Sequence, residues 1–210
     1  MRSAVLPLLA CLLVGACQDA SQRPEPTSGP GQATGAGPDT ALARVEQLME
    51  AFMDARSFHA EMTLEGARET VNALDFVAPD RYRMTMPMGT QVIIGDVLYL
   101  QSQGQTRKMQ LPEGTVAQWR DPMRLHDHHA ELEVQAQGSQ TLDGVRAREY
   151  LVRNGPTDQP VTFTYWIGPD GLPLQLRHQG QSQGQPYTMT VRYSRFNDPS
   201  IVIDTPVASG

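Results

Sequence analysis

Phe76-Val77-Ala78-Pro79-Asp80-Arg81-Tyr82-Arg83-Met84-Thr85-Met86-Pro87-Met88-Gly89-Thr90-Gln91-Val92-Ile93-Ile94-Gly95-Asp96-Val97-Leu98-Tyr99 is a run of short apolar stretches cut repeatedly by proline, glycine and aspartate. No stretch between two cuts is long enough for a helix, and β-branched and aromatic residues dominate the pieces. The run therefore reads as strand, turn, strand: Arg81 to Met86, Thr90 to Ile94 and Val97 to Ser102, with turns at Pro79-Asp80, Pro87 to Gly89 and Gly95-Asp96. Within Arg81 to Met86 the period of two puts Tyr82, Met84 and Met86 on one face and Arg81, Arg83 and Thr85 on the other.

The same grammar extends in both directions. Upstream, Phe58, Ala60, Met62 and Leu64 alternate with polar residues, and Thr70 to Val77 follows. Downstream, Thr106 to Leu111 completes a first group of about six strands. Between Pro112 and Ala130 the regularity breaks, with a turn or two of helix expected near Thr115 to Arg120, carrying Trp119. Strands resume near Ala130 to Ala136, Gln140 to Leu142, Val145 to Arg153, Val161 to Gly168, Leu172 to Gly180 and Tyr187 to Phe196, and a short one at Ile201 to Ile203. Pro169-Asp170-Gly171 is a hairpin signal. Before the strands, Leu42, Val45, Met49, Phe52 and Met53 recur at helical spacing, so Asp39 to about Arg56 reads as an amphipathic helix capped by Asp39.

These elements make a mainly β chain with some α. The expected fold is a half-open, curled antiparallel β-sheet, an incomplete barrel, because so long a sheet must curl. The N-terminal helix and the short helical insertion are expected to lie across its concave face. Phe52, Tyr82, Met84, Met86, Trp119 and Trp166 are the candidates for lining an apolar cavity there. Methionine suits a surface that adapts to acyl chains, as it suits an ordinary core.

The first residues carry a separate signal. Arg2, the apolar run Val5 to Val14, and Leu13-Val14-Gly15-Ala16-Cys17 look like a bacterial lipoprotein signal, too short to span a bilayer as a helix. Residues 1–16 are then a cleaved signal peptide and Cys17 the lipidated N-terminus. The only other cysteine, Cys11, leaves with the signal, so no disulfide is possible in an oxidising compartment. Residues 17–38 contain Pro, Gly, Ser, Thr and Gln and form a tether of about 25 Å reach. Residues 39–207 are one folded domain. Losing Arg2 moves the formal charge from −6 to −7, and an acidic chain without a basic cluster excludes nucleic acid as a partner. The expected partners are a membrane, reached through the N-terminal lipid, and an acylated ligand.

Other chemistry is thinly represented. His126, His128 and His129, with Asp127, carry zinc- or copper-ligating groups, but three on one loop give poor geometry and no distant cysteine completes them. Met84, Met86 and Met88 resemble soft copper(I) ligands, a pattern that strand-lining methionines also give. The reading is that neither metal nor cofactor is held. No serine elbow, zinc-protease helix, phosphate loop or carboxylate pair is present, so no enzyme is expected.

Four segments together resemble the superfamily of periplasmic lipoprotein and lipid carriers typified by LolA, LolB, LppX and LprG. They are Phe76 to Arg83, Val92 to Tyr99, Tyr165 to Pro173 and Val191 to Pro199. The resemblance implies a half-open barrel with helices across its mouth and an apolar cavity that binds acyl chains for transport or sorting. It places the protein in the cell envelope, and Gln18 directly after the cysteine resembles a lipoprotein forwarded to the outer membrane, with the domain facing the periplasm. A non-catalytic scaffold or sensor of the same fold, with other envelope proteins as partners, and copper or zinc binding are the alternatives.

Overall fold

The computed structural model describes residues 38–112, 115–116, 132–155 and 160–207. The signal segment, Cys17, the tether up to residue 37, Trp119 and the cluster His126, His128 and His129 lie outside them, as does nearly all of the expected helical insertion.

One helix, α1 (Pro38–Met53), precedes two meanders: β1 (Ser57–Glu65), β2 (Thr70–Val77), β3 (Arg81–Met86), β4 (Gly89–Ile94), β5 (Val97–Ser102) and β6 (Gln105–Gln110), then β7 (Glu133–Leu142), β8 (Val145–Asn154), β9 (Val161–Ile167), β10 (Pro173–Ser182) and β11 (Gln185–Ser194). All eleven form a single antiparallel sheet in the order β6-β5-β4-β3-β2-β1-β11-β10-β9-β8-β7. The one non-sequential pairing, β1 with β11, joins the meanders, for example through Ala60 opposite Tyr193. β6 and β7 remain as unpaired edges, so the curled sheet stays open and is not a closed barrel.

Tight turns fix the registers. Gln103-Gly104, Asp143-Gly144 and Gln183-Gly184 each hold both residues at positive φ, the mirror-image turn whose twist matches a two-residue hairpin. Glycine takes the second position because such a φ costs it nothing.

Four boundaries differ from the sequence reading. Helix α1 begins at Pro38, so Asp39 sits inside the first turn and does not cap it; proline is well placed there because its missing N–H has no partner to lose. The helix stops at Met53 and not near Arg56, since the Arg56 backbone N–H donates to Asn197 Oδ1 at 2.8 Å and pulls the chain into β1. The two strands expected over Ala130 to Leu142 are one, β7, with a bulge between Ala136 and Gly138 that local sequence reads as a break. Ile201 to Ile203 is not a strand. Its two isoleucines are buried pegs, and its carbonyls are met by side chains: Arg81 donates to Ile203 O at 2.9 Å and Arg83 to Val202 O at 3.1 Å.

The sheet has a core on each face. On the helix side, Ala41, Val45 and Leu48 of α1 pack on Tyr150, Val152, Phe163, Tyr165, Ile167 and Leu176. The end of the helix leads into a second cluster, Ala55, Phe58, Ala60, Phe76, Tyr82 and Ile93. On the opposite face, Val92 and Tyr99 are covered by Ile203.

Candidate functional site

The registers build the helix-side face row by row. Phe58 lies opposite Phe76, Phe76 opposite Tyr82, and Tyr82 opposite Ile93. This row is closed: Phe76 and Tyr82 are buried, with ring centroids 5.0 Å apart, and Phe58 sits 5.1 Å from Phe76. Phe52 reaches down from α1 onto Phe58 at 4.9 Å and edge-on to Tyr193 at 5.4 Å. Burial among these rings pushes the Tyr193 phenol above its ordinary value, so it stays neutral.

The next row is different. Ala60 lies opposite Leu74, Leu74 opposite Met84, Met84 opposite Gln91, and Gln91 opposite Leu100. Beyond it come Met62, Leu64 and Met86 on the same face, with Met189 opposite Leu64. Met62, Met84, Met86 and Leu100 are half-buried, Leu64 is 36% exposed, and all five lie outside the three buried clusters. Along β3 exposure therefore rises from Tyr82 at 2% through Met84 and Met86 to Met88 in the following turn at 89%. The result is an apolar stripe that begins at an aromatic wall and runs out to a hairpin tip. Nothing in it can act as an acid, a base or a nucleophile; it can hold apolar chains by burial, about 25 cal/mol for each Å² removed from water.

Five of the cavity candidates named from the sequence are within the described residues, and they are not at one place. Tyr82 and Phe52 are part of the aromatic wall, Met84 and Met86 of the stripe. Trp166 is on the other face. It lies opposite Gln175 and Glu149, its indole N–H donates to Gln140 Oε1 at 3.2 Å, and Arg177 covers its ring at 5.9 Å. It packs the outside of the sheet and is not brought to the stripe; its parity in β9, one off from the helix-facing Tyr165 and Ile167, decides this. Met62, Leu64, Leu74, Leu100 and Met189 belong to the stripe and were missed as site residues. Their signal was alternation, but only the register tells which alternating faces merge.

The opposite face carries the charges. His59 Nδ1 is 2.7 Å from Asp75 Oδ1, and Arg83 donates to Asp75 Oδ2 through Nε at 3.1 Å and Nη2 at 2.7 Å. Burial alone raises the Asp75 carboxyl, but hydrogen bonds from His59 and Arg83 outweigh it and hold the group below its ordinary value. A groove of about 600 Å³ is lined by the charged His59, Glu61, Asp170 and Arg192 together with the apolar Leu172 and Leu174, among others. Among the described residues no group of three His, Cys, Asp or Glu is disposed to hold a metal, and no helix is long and apolar enough to cross a membrane.

No family model matches the chain, and no curated protein matches it in sequence. Solved structures do match. The lipoprotein LppX of Mycobacterium tuberculosis aligns with a TM-score of 0.61 at 16% identity, over 80% of this chain and 100% of that one. LprF from Mycobacterium bovis aligns with a TM-score of 0.58 at 12% identity, over 80% of this chain and 97% of that one. At such identities the shared property is the fold: the chain has the open, curled antiparallel sheet of LppX and LprF.

Proposed function

We propose that this protein is a lipid-anchored envelope lipoprotein that binds the acyl chains of a lipid or lipoprotein on the helix-side face of its sheet, for transport or sorting between membranes, and that it performs no catalysis. The observation that carries this reading is the stripe Met62, Leu64, Leu74, Met84, Met86 and Leu100. Its members share one face by register, interrupted by Gln91 between Met84 and Leu100, and all but Leu74, which packs against the aromatic cluster, lie outside the buried clusters. A side chain that only filled a core would be buried like Tyr82 or Phe76. The fold shared with the lipoprotein LppX supports the general class. Anchorage at Cys17, with the domain facing the periplasm from the outer membrane, is the address most consistent with the N-terminal sequence.

The test is equilibrium binding of a fluorescent fatty acid to the full chain after co-purified lipid has been stripped. Met84→Gln should weaken saturable binding severalfold and move the thermal midpoint little, because Met84 is half-exposed. A packed core predicts the reverse, a loss of about 2 kcal/mol or more of stability. No saturable binding by the stripped parent would overturn the reading.

A further inference from the structure

Across strands β1 to β6 the helix-side face carries a single charge. The acids and bases of β1, β2 and β3, Glu61, Glu65, Asp75, Arg81 and Arg83, all share the outward parity of His59, and β4 and β5 hold none. On β6, Lys108 lies opposite Tyr99 and faces outward, where a cation discourages strand pairing at the free edge. Arg107 faces the other way. It lies opposite Leu100, and Met109, two residues on, lies opposite Leu98, which packs on the helix-side aromatic cluster. The row Leu74, Met84, Gln91, Leu100 therefore ends in Arg107 at the sheet edge. Arg107 is exposed, and among the described residues no ion pair or side-chain hydrogen bond engages it.

The same row gives a reason for the polar break in the stripe. Gln91 and Arg107 flank Leu100 from its two neighbouring strands, about 10 Å apart at Cα, so their long side chains can reach over Leu100 to one group between them. The guanidinium offers only donors, and the glutamine amide adds two more. With no carboxylate on this face of the six strands to answer the charge, the complement is an acceptor that brings negative charge with it. A carboxylate or a phosphate does so and takes two parallel N–H bonds from an arginine; an uncharged ester leaves the guanidinium unmatched. The span also suits an attached chain. From Arg107 to Ala60 the row crosses five strand spacings, about 24 Å, and an acyl chain fills about 15 Å, half the hydrocarbon thickness of a bilayer. A head at the edge thus stays in water while its tail lies over Leu100, Met84 and Leu74.

We propose that Arg107, with Gln91, holds the anionic head of the acyl ligand, a carboxylate or a phosphate, at the β6 edge while the chain runs along this row toward the aromatic wall. The proposal rests on the lipid-binding reading and deepens it to a class of headgroup.

The experiment is displacement of the uncharged probe N-phenylnaphthylamine from the stripped full chain by two matched pairs of lipids: oleate against methyl oleate, and oleoyl lysophosphatidate against monooleoylglycerol. The parent should favour the anion by about fivefold in at least one pair, and the pair with the larger preference names the head. The preference should shrink at about 1 M salt, where the screening length is about 3 Å. Arg107→Gln should bring both pairs within about twofold while leaving the uncharged lipids' affinities and the thermal midpoint unchanged, and Gln91→Leu should lower the preference by about half. Lys108→Gln, which removes the same charge from the outer face, should keep it. A parent without preference in either pair, a folded Arg107→Gln that retains it, or a Lys108→Gln that loses as much would overturn the head site while leaving the stripe standing, and full preference in Gln91→Leu would strike Gln91 from it. If neither the probe nor any of the four lipids binds the parent, the lipid reading falls and the head site with it.

Discussion

Asp75 makes the strongest single-residue commitment on the sheet's outer face. Its carboxylate is held by His59 and by two nitrogens of Arg83, which also reaches the carbonyl of Val202, so one acid links β1, β2, β3 and the C-terminal segment. Because the folded group sits below its ordinary value, its contribution is complete above the unfolded value near 3.8 and is lost as pH falls through the folded one. Stability should therefore hold between pH 7 and 5 and decline below about pH 4. Asp75→Asn should cost about 1 to 2 kcal/mol at pH 7, toward the lower end since Arg83 is over a third exposed, and should flatten the acid limb; urea melts of both proteins at several pH values measure it. An unchanged acid limb in the variant would remove Asp75 from the account. The same residues mark what alternation can and cannot reveal. That Arg81 and Arg83 face away from Tyr82 was legible from the period of two; that they clamp Ile203 and Val202 was not, since the partners lie 122 and 119 residues away. Met84 and Met86 were legible as one face for the same reason. The edge-on contact of Tyr187 with His178 was not, because the two rings meet only through the β10–β11 register.

At the scale of elements, what was legible is what turn chemistry encodes. β2, β3 and β5 have the bounds read from the sequence, each being stopped by a Pro-Asp, Pro-Met, Gly-Asp or Gln-Gly turn or its neighbour. β7 was read as two strands, Ala130 to Ala136 and Gln140 to Leu142, whereas pairing with β8 carries the chain through the bulge between Ala136 and Gly138. Helix α1 was legible by its apolar stripe, and the packing of Val45 at 0% and Leu48 at 2% exposure explains why that stripe exists. Its last turn makes a sharper test. Phe52 stacks on Phe58, Tyr193 and Phe196, so Phe52→Asp sets an unpaired carboxylate among three rings. It should cost about 2 to 4 kcal/mol, read as a drop of several degrees or more in the thermal midpoint. A midpoint within a degree or two of the parent would mean that the helix end contributes nothing to the fold.

For the whole molecule, the sheet's open form is a consequence of its strand order. Pairing β1 with β11 places the middle of the chain, β6 and β7, at the two free edges, and the helix covers the β7 to β10 side while the methionine stripe lies across β1 to β5. A binding face arranged this way needs no hinge within the sheet to admit a chain, and it works at a membrane only if something brings it there. The proposed anchor does that. With Cys17 acylated, each buried methylene contributes about 0.8 kcal/mol, and more than one chain makes attachment stable. The acidic chain has no basic cluster to substitute for it. Cys17→Ala should therefore move the protein from the membrane fraction to the supernatant while leaving its thermal midpoint unchanged, since the substituted position lies 21 residues before Pro38, where α1 begins. The variant should also still bind the fluorescent fatty acid with the parent's affinity, because the stripe is built from strands of the sheet and not from the anchor. Membrane sedimentation equal to the parent's would show that lipidation is not what holds it, and a loss of fatty-acid binding in the folded variant would show that the signal seen in the parent came from its own acyl chains and not from a ligand.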